Sequence, residues 1–282
     1  EEQINEETSG VFKAGYGMGD AYPEAEDYIK AYIRSNTIQK YVELVRNAKS
    51  RLTIPVIASV NCFSGGEWVS FARQLEEAGA DALELNVFIL PVNEFRESAE
   101  VENVYFEIVK SIKSQIKIPV SVKISHYFTN LSAFVDKIKA YGANATTLFN
   151  RFYEPDININ TLEMGAASVF STAAELRTTL RWTGILAGKD KKLEISASTG
   201  VHGGEAAVKL LLAGATTVQV CSVLYEKGIH VIEDINNFIG KWMDTKAFKT
   251  IGDYRGMLSY SSIENPDLYE RAQFMKYFSN KQ

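Results

Sequence analysis

The sequence predicts an α/β fold, a (β/α)8 barrel, from two observations. Short segments rich in Val, Ile and Leu alternate with helical stretches after residue 50. This alternation is typical of a parallel sheet covered by helices. In addition, Gly79, Gly142 and Gly214 each close a helix just before a strand, at intervals close to two modules of about 30 residues each. A doubly wound open sheet shares these local signals, so the alternation of strands and helices alone leaves this alternative open.

Six strands can be assigned, together with the helices between them. The predicted strands are 54–61, 81–88, 118–125, 145–150, 193–198 and 217–222, and the predicted helices include 66–79, 101–114, 131–142 and 203–214. Each strand is interpreted as apolar on both faces. Because a closed barrel has eight strands, either the first two βα units precede Glu1 or the fold is not an eight-stranded barrel.

A single domain over residues 1–282 accounts for this pattern. Residues 1–50 are expected to form an irregular or helical insertion, with helical stretches at 23–36 and 37–50. Residues 51–240 hold the βα units, and residues 241–282 form a helical tail.

Composition argues against several classes of partner and site. The chain has 282 residues and a net charge of −5, with no block of Lys and Arg, so nucleic acid is not an expected partner. The two cysteines, Cys62 and Cys221, form no Cys-x-x-Cys pair, and no zinc or other metal site is expected. No apolar run approaches the ~20 residues that span a bilayer, so no membrane is expected as a partner. Sparse cysteine favours a reducing cytoplasm.

Polar side chains follow the ends of the predicted strands, where a parallel α/β barrel holds its active site. These residues are Asn61, Cys62, Asn86, Lys123, Ser125, Asn150, Arg151, Ser198, Thr199, Cys221 and Ser222. An Asn at such a place is also a common turn residue, and a Ser or Thr is a common helix N-cap. Lys123 differs, because a lysine inside an apolar strand must point into a cavity or find a partner.

The last two predicted strands end in turns that suit a phosphate group. Thr199 and Gly200, with the Gly203–Gly204 pair, open one helix, and Cys221 and Ser222 open the next. Exposed backbone N–H groups at helix starts bind phosphate, and the loops after strands 7 and 8 are the usual place for it in barrels. Two ordinary strand-to-helix turns would look the same locally. His202 lies in this region and is interpreted as structural.

The ordered motifs resemble the FMN-binding barrel of the dihydroorotate dehydrogenase family, of the soluble class 1 type, and the pyrimidine-reducing domain of dihydropyrimidine dehydrogenase. They occupy residues 56–86, 120–125, 148–150, 197–228 and 253–258, and include ELN at 84–86, VSVKIS at 120–125 and LFN at 148–150. The resemblance covers the chain from about residue 20 to residue 258. It implies an FMN-dependent oxidoreductase that acts on a CH–CH bond of a small cyclic substrate, of the dihydroorotate or dihydropyrimidine type.

The resemblance also implies roles for individual residues. Lys123 would approach the flavin ring, where a cation stabilises negative charge, while Asn86 and Asn150 would pair with the edge of a pyrimidine-like substrate. Asn36 matches a further family asparagine loosely. By the same analogy the two missing βα units would precede Glu1, and the protein would be a homodimer. The groups expected to hold FMN are those of Lys123, Ser198, Thr199, Gly200, Cys221 and Ser222.

The sequence departs from the family pattern after Asn86. The family places a Cys or Ser, which removes a proton from the substrate, three residues after this asparagine; here that position is Ile89, which cannot accept a proton. A general base contributes about 10²- to 10⁴-fold in rate. Another residue could serve, the substrate could need no such base, or the protein could bind flavin and a ligand without turnover. The candidate replacement bases are Cys62, Ser64, His126 and Tyr127, with Cys62 and His126 preferred.

The segment 151–160, RFYEPDININ, is the other distinctive feature. It is either a surface excursion or a lid whose Arg151 pairs with an anionic substrate, since a guanidinium binds a carboxylate at two points.

Overall fold

The structure is a computed structural model that describes residues 23–61 and 65–271, with side chains described for 37–61 and 68–271. The first part of the predicted insertion, residues 1–22, and the end of the predicted tail, residues 272–282, lie outside the described residues. The chain divides into two compact units. The first contains the described residues up to Val87 together with Asn93–Val120, and the second contains Phe88–Val92 and the described residues from Ser121 onward.

The first unit contains two parallel strands and three helices. Its elements are α1 (Pro23–Arg51), β1 (Ile57–Val60), α2 (Gly65–Glu77), β2 (Ala82–Asn86) and α3 (Ser98–Lys113). β1 pairs with β2 in a register that places Ile57 beside Ala82. Leu83 and Leu85 of β2 are fully buried. Burial of these two side chains fixes the strand, and the polar side chain of Asn86 stands at its carboxyl end.

The two helical stretches predicted at 23–36 and 37–50 form one helix, because α1 runs unbroken from Pro23 to Arg51. After Pro23, neither stretch contains a Gly or Pro, so no residue in the sequence ends the first helix before the second begins. The Pro at position 23 begins α1, as expected for a residue that lacks the N–H group.

The second unit contains most of the alternating strands and helices. Its elements are β3 (Val120–Ile124), α4 (Leu131–Ala140), β4 (Ala145–Leu148), β5 (Pro155–Asn158), β6 (Glu163–Ala166), a 3-10 turn (Ala173–Glu175), α5 (Leu176–Lys189), β7 (Glu194–Ala197), α6 (Gly204–Ala213), β8 (Thr217–Val218), α7 (Ser222–Lys227), α8 (Val231–Lys246), a second 3-10 turn (Ile251–Asp253) and α9 (Asp267–Glu270). β3, β4, β7 and β8 pair side by side and run parallel. The alternation of parallel strands with helices confirms the predicted fold class.

One face of these four strands is polar, so the prediction of strands that are apolar on both faces is wrong. Val122 and Ile124 of β3 are fully buried on one face, whereas Ser121 and Lys123 alternate with them on the other. Ser121 Oγ lies 3.0 Å from Thr147 Oγ1 of β4. Lys123 of this polar face lines the cavity at the carboxyl ends of the strands. Two further polar pairs lie on this side: Lys123 of β3 with Gln219 after β8, and Thr217 of β8 with Ser196 of β7.

A β-hairpin follows β4 and was not predicted. β5 and β6 pair antiparallel, and every residue of both strands is exposed. The segment beginning at Arg151 is therefore an ordered two-stranded excursion from the strand end. Of the two interpretations offered for it, the surface excursion describes its backbone.

Candidate functional site

A cavity of about 220 Å³ lies at the carboxyl ends of the second unit's strands, and eight of the predicted site residues line it. They come from four different strand ends, at Lys123, Asn150, Ser198 and Cys221, which are separated along the chain by 27, 48 and 23 residues. Parallel strands end at the same edge of their sheet, and that geometry brings these side chains together. The eight are Lys123, Asn150, Arg151, Ser198, Thr199, Gly200, Cys221 and Ser222.

Lys123 lies on the polar face of β3, where it contacts the residue that follows the end of β8. Its Nζ lies 3.4 Å from Gln219 Oε1, and both residues line the cavity. The lysine therefore points into a cavity, as the sequence predicts for a charged residue in an apolar strand. An ammonium group in this position offers a positive charge to whatever occupies the cavity.

The loop from β7 to α6 borders the cavity with backbone as well as with side chains. Thr199 and Gly200 both have a φ of +78°, and Thr199 Oγ1 donates to the Phe149 carbonyl oxygen at 3.0 Å. Among the described residues, neither the Thr199 nor the Gly200 amide donates to another backbone or side-chain group. These amides are consequently available to an acceptor in the cavity.

Gly200 is expected to be intolerant of a side chain, whereas Gly203 is expected to accept one. A Cβ on Gly200 would overlap the backbone of Leu176 and Glu175, and it would also sit at a positive φ. At Gly203 nothing lies within 4 Å of the position that a Cβ would take. Gly200→Ala should lower stability by about 2 kcal/mol, roughly 5 °C in Tm, and Gly203→Ala should change it little. Equal melting temperatures of the two variants would contradict this explanation of the loop.

A second cavity, of about 400 Å³, adjoins the first and is lined in part by aromatic rings. Phe149, Asn150, Arg151 and Thr199 line both cavities. A polar cavity with a cation thus lies next to an aromatic one, and Asn150 belongs to both. The aromatic rings that line the second are Tyr127, Phe149, Phe152 and Tyr153, joined by the imidazole of His126.

The aromatic wall continues to the segment that follows Asn86. The rings of Phe88 and Phe152 lie 4.2 Å apart between centroids, and those of Tyr127 and Phe152 lie 5.2 Å apart. These spacings are typical of attractive aromatic pairs. Ile89, the residue at the family's base position, is therefore adjacent in sequence to a ring that packs on this wall.

His126 is placed so that its imidazole faces the aromatic cavity. Its ring lies 4.2 Å from that of Tyr127 and 5.8 Å from that of Phe149. Partial burial beside these rings lowers the pKa of His126 below its usual value of 6.5, although the residue as a whole is exposed. The imidazole is therefore neutral at pH 7 and has a nitrogen that can accept a proton.

Arg151 is bound to protein groups on every side of its guanidinium. Its Nε donates to Glu175 and its Nη2 to Glu154, each at 2.9 Å. Its Nη1 donates to the carbonyl oxygens of Ser168 and Val169 at 2.9 and 3.2 Å. These contacts favour a structural role that ties the hairpin to the 3-10 turn, over the expected pairing with a substrate carboxylate.

Glu175 keeps its negative charge beside Arg151. Burial raises the pKa of this carboxyl, but the Thr172 amide and the Arg151 guanidinium lower it by more, so the pKa lies below its usual value. Because the charged form is favoured in the folded protein, this contribution to stability is complete above the usual value of 4.5 and is lost as the pH falls through the lowered pKa.

Of the predicted residues whose side chains are described, Asn61, Asn86 and Ser125 do not line these cavities. Asn86 ends β2 in the first unit and is half-buried. The side chain of Asn36 and all of Cys62 and Ser64 lie outside the described residues. Within the described part of the chain, no group of three His, Cys, Asp or Glu side chains could hold a metal ion. Over residues 23–61 and 65–271, no helix is long and apolar enough to cross a membrane.

Sequence reasoning missed several polar residues of the cavities, among them Ser171, Gln219 and Glu175. Gln219 lies two residues after Thr217 on the same predicted strand, so alternation along that strand could have placed it on the polar face. Ser171 and Glu175 come from the segment before α5, which carries no strand-end signal. Only the folded chain brings them to the cavities.

Comparisons with known proteins show which family the chain resembles. Residues 33–243 match the sequence model of the family described as dihydroorotate dehydrogenase. A putative dihydroorotate dehydrogenase A (fumarate) of Aeropyrum pernix is 27% identical over 264 residues, covering 86% of this chain and 81% of that protein. The catalytic subunit of a dihydroorotate dehydrogenase B (NAD(+)) of Thermoplasma acidophilum is 30% identical over 249 residues, with the same two coverages.

A solved structure shows the same fold. The dihydroorotate dehydrogenase of Eimeria tenella, solved in complex with ferulenol, superposes with a TM-score of 0.61 at 14% identity and covers 78% of this chain and 67% of its own. The match to the family model extends over more than half of the sequence. The chain therefore belongs to the dihydroorotate dehydrogenase family and is an oxidoreductase of that family.

Proposed function

We propose that the chain is an FMN-dependent oxidoreductase that acts on a CH–CH bond of a small cyclic substrate of the dihydropyrimidine type. The observation that carries the proposal is the cavity at the strand ends, which brings together Lys123, Asn150, the Thr199–Gly200 loop and Ser222. These are a cation, an amide, backbone N–H groups that donate to no other described backbone group, and a hydroxyl.

The donor set around the first cavity fits a flavin nucleotide. Phosphate accepts hydrogen bonds and carries negative charge, and the Thr199 and Gly200 amides with the Ser222 hydroxyl supply donors for it. A Cβ on Gly200 would meet the backbone of Leu176 and Glu175, so the loop has room only for glycine at this position. When bound, FMN would supply the electron-accepting ring, and Lys123 would provide the positive charge beside it.

The protein's own groups would orient the substrate and take its proton. The amide of Asn150 offers both a donor and an acceptor to a ring edge at the junction of the two cavities. Since Ile89 cannot accept a proton, we infer that His126, whose imidazole is neutral at pH 7, takes the proton in its place. Cys62 remains the alternative base.

Charge at the second cavity favours an uncharged substrate over a carboxylate. The charged side chains among its described lining residues are Arg151, Glu154 and Glu175. Two carboxylates thus face one guanidinium that already donates to both of them. A ligand carboxylate would have to displace one of these contacts or meet a net negative wall.

The expected result is that the FMN-loaded chain binds uracil at least several-fold more tightly than orotate, the same ring with a carboxylate. Binding is measured from the change in the flavin absorbance on titration. Glu154→Gln removes one negative charge from an exposed position and should reduce the difference between the affinities for uracil and orotate. Tighter binding of orotate by the unaltered chain would contradict the preference for an uncharged substrate.

The presence of Ile89 supports a second candidate function, a flavin-binding relative without turnover. Such a protein would bind FMN and a ligand, but no substrate of this class would bleach the flavin. A homodimer and a cytoplasmic location stay predictions, and light scattering of the purified chain would test the first.

A further inference from the structure

Behind the first cavity, a chain of polar side chains leads away from Ser222. Ser222 Oγ accepts a hydrogen bond from the Ser171 N–H at 3.0 Å, and its Oγ lies 3.1 Å from the Ser171 hydroxyl, which donates to it. Ser171 is 8% exposed, and both serines line the cavity. The Ser222 oxygen therefore has two donors within the protein.

His202 continues this chain on the far side of Ser171. Its Nε2 lies 3.3 Å from Ser171 Oγ, and its Nδ1 lies 3.6 Å from Glu226 Oε2. The histidine side chain is 19% exposed and the carboxylate 38%. We call this set, Glu226–His202–Ser171–Ser222, the serine relay.

The relay restricts where the Ser222 proton can point. A serine hydroxyl has one proton and two acceptor lone pairs. The Ser171 hydroxyl donates to Ser222, so its oxygen can accept a hydrogen bond from the His202 tautomer whose proton is on Nε2. Glu226 lies 3.6 Å from Nδ1, beyond hydrogen-bond distance, and so does not fix the proton on that nitrogen. With both lone pairs of Ser222 engaged by Ser171, its own proton is left to donate into the cavity.

We propose that His202 and Ser171 are positioning residues that turn the Ser222 hydroxyl toward the phosphate of the bound flavin nucleotide. The inference rests on the proposed function, because it assigns the phosphate to this cavity. Phosphate oxygens only accept hydrogen bonds, so a hydroxyl fixed as a donor suits them, whereas a freely rotating one must lose that freedom on binding.

A serine, a histidine and a carboxylate in a row could instead activate a nucleophile. The Ser171 hydroxyl donates to Ser222 rather than standing free to attack, and its backbone N–H is committed to the same oxygen. With 8% of Ser171 exposed, a reacting carbon has little access to it. The contacts favour positioning over nucleophilic attack.

The test compares the dissociation constants of FMN and of riboflavin, which lacks the phosphate, on the full chain. Ser171→Ala and His202→Leu should each weaken FMN binding by about five- to tenfold and leave riboflavin binding unchanged. His202→Gln keeps an N–H donor on the side chain and should restore FMN binding to within about twofold. His230→Leu, at an exposed histidine, is the matched control and should leave both constants unchanged.

The possible results are distinguishable. Equal weakening of FMN and riboflavin, or no rescue by His202→Gln, would assign the relay a purely structural role and overturn the inference while the proposed function stands. An unaltered chain that binds neither FMN nor riboflavin would contradict both the proposed function and the assignment of a flavin phosphate to Ser222. Melting temperatures confirm that each variant is folded. If Ser171→Ala does not fold, comparison of His202→Leu with His202→Gln still tests the positioning role.

Discussion

Replacing Lys123 with Met is expected to slow the anaerobic bleaching of the flavin by substrate about 10²- to 10³-fold, the usual cost of losing one preorganised charged or donor group. Met approximates the length of the side chain and removes the charge. Lys123 lies on the polar face of β3 against Gln219, within the cavity, so its ammonium is placed to stabilise negative charge there. The rate is measured by stopped-flow absorbance of the FMN-loaded variant.

Lys110→Met provides a matched control, because Lys110 is an exposed lysine on α3. The control should bleach at the unaltered rate. FMN binding by Lys123→Met should weaken far less than the rate falls, since the backbone amides and Ser222 are untouched. An unaltered bleaching rate in Lys123→Met would contradict a role for this lysine at the reacting ring.

His126→Gln is the second change with a large expected effect. Loss of a general base costs about 10²- to 10⁴-fold, and Gln preserves a polar side chain that cannot take the proton. Burial lowers the pKa of His126 below 6.5, so the imidazole becomes protonated, and stops accepting protons, only as the pH falls through that lowered pKa. The rate of the unaltered chain should therefore be flat above pH 6.5 and decline only below it.

The pH profile separates a base from a merely structural histidine. His126→Gln should lose this acid limb as well as the rate, whereas His230→Gln should keep both, since His230 is exposed at the start of α8. If His126→Gln bleaches at the unaltered rate, the base lies elsewhere, and Cys62 is the next residue to replace.

The strand-end residues could be predicted from the sequence because the signal is local. A lysine among Val and Ile needs a cavity or a partner, and Lys123 has both. Likewise Thr199 and Gly200 stand where a strand turns into a helix, and the structure gives them a positive φ. Short apolar segments located the parallel strands, although the observed strands are shorter than the predicted ones.

The contacts that determine whether Arg151 and Ser222 can bind a ligand could not be predicted, because they join segments far apart in the sequence. Arg151 looked available to a substrate, yet Glu175 accepts from it across 24 residues of sequence. Ser171 reaches Ser222 across 51 residues. The β5–β6 hairpin escaped prediction for a different reason: all of its strand residues are exposed, so no buried alternation marks it.

The most direct test of the central claim is the visible spectrum of the full chain after reconstitution with FMN, followed anaerobically on addition of 5,6-dihydrouracil and, separately, dihydroorotate. We predict bound flavin absorbance that bleaches on substrate addition, faster with the uncharged compound. A chain that binds no FMN would contradict the cofactor assignment and the oxidoreductase mechanism built on it. Bound flavin that neither compound bleaches would instead favour the flavin-binding relative without turnover.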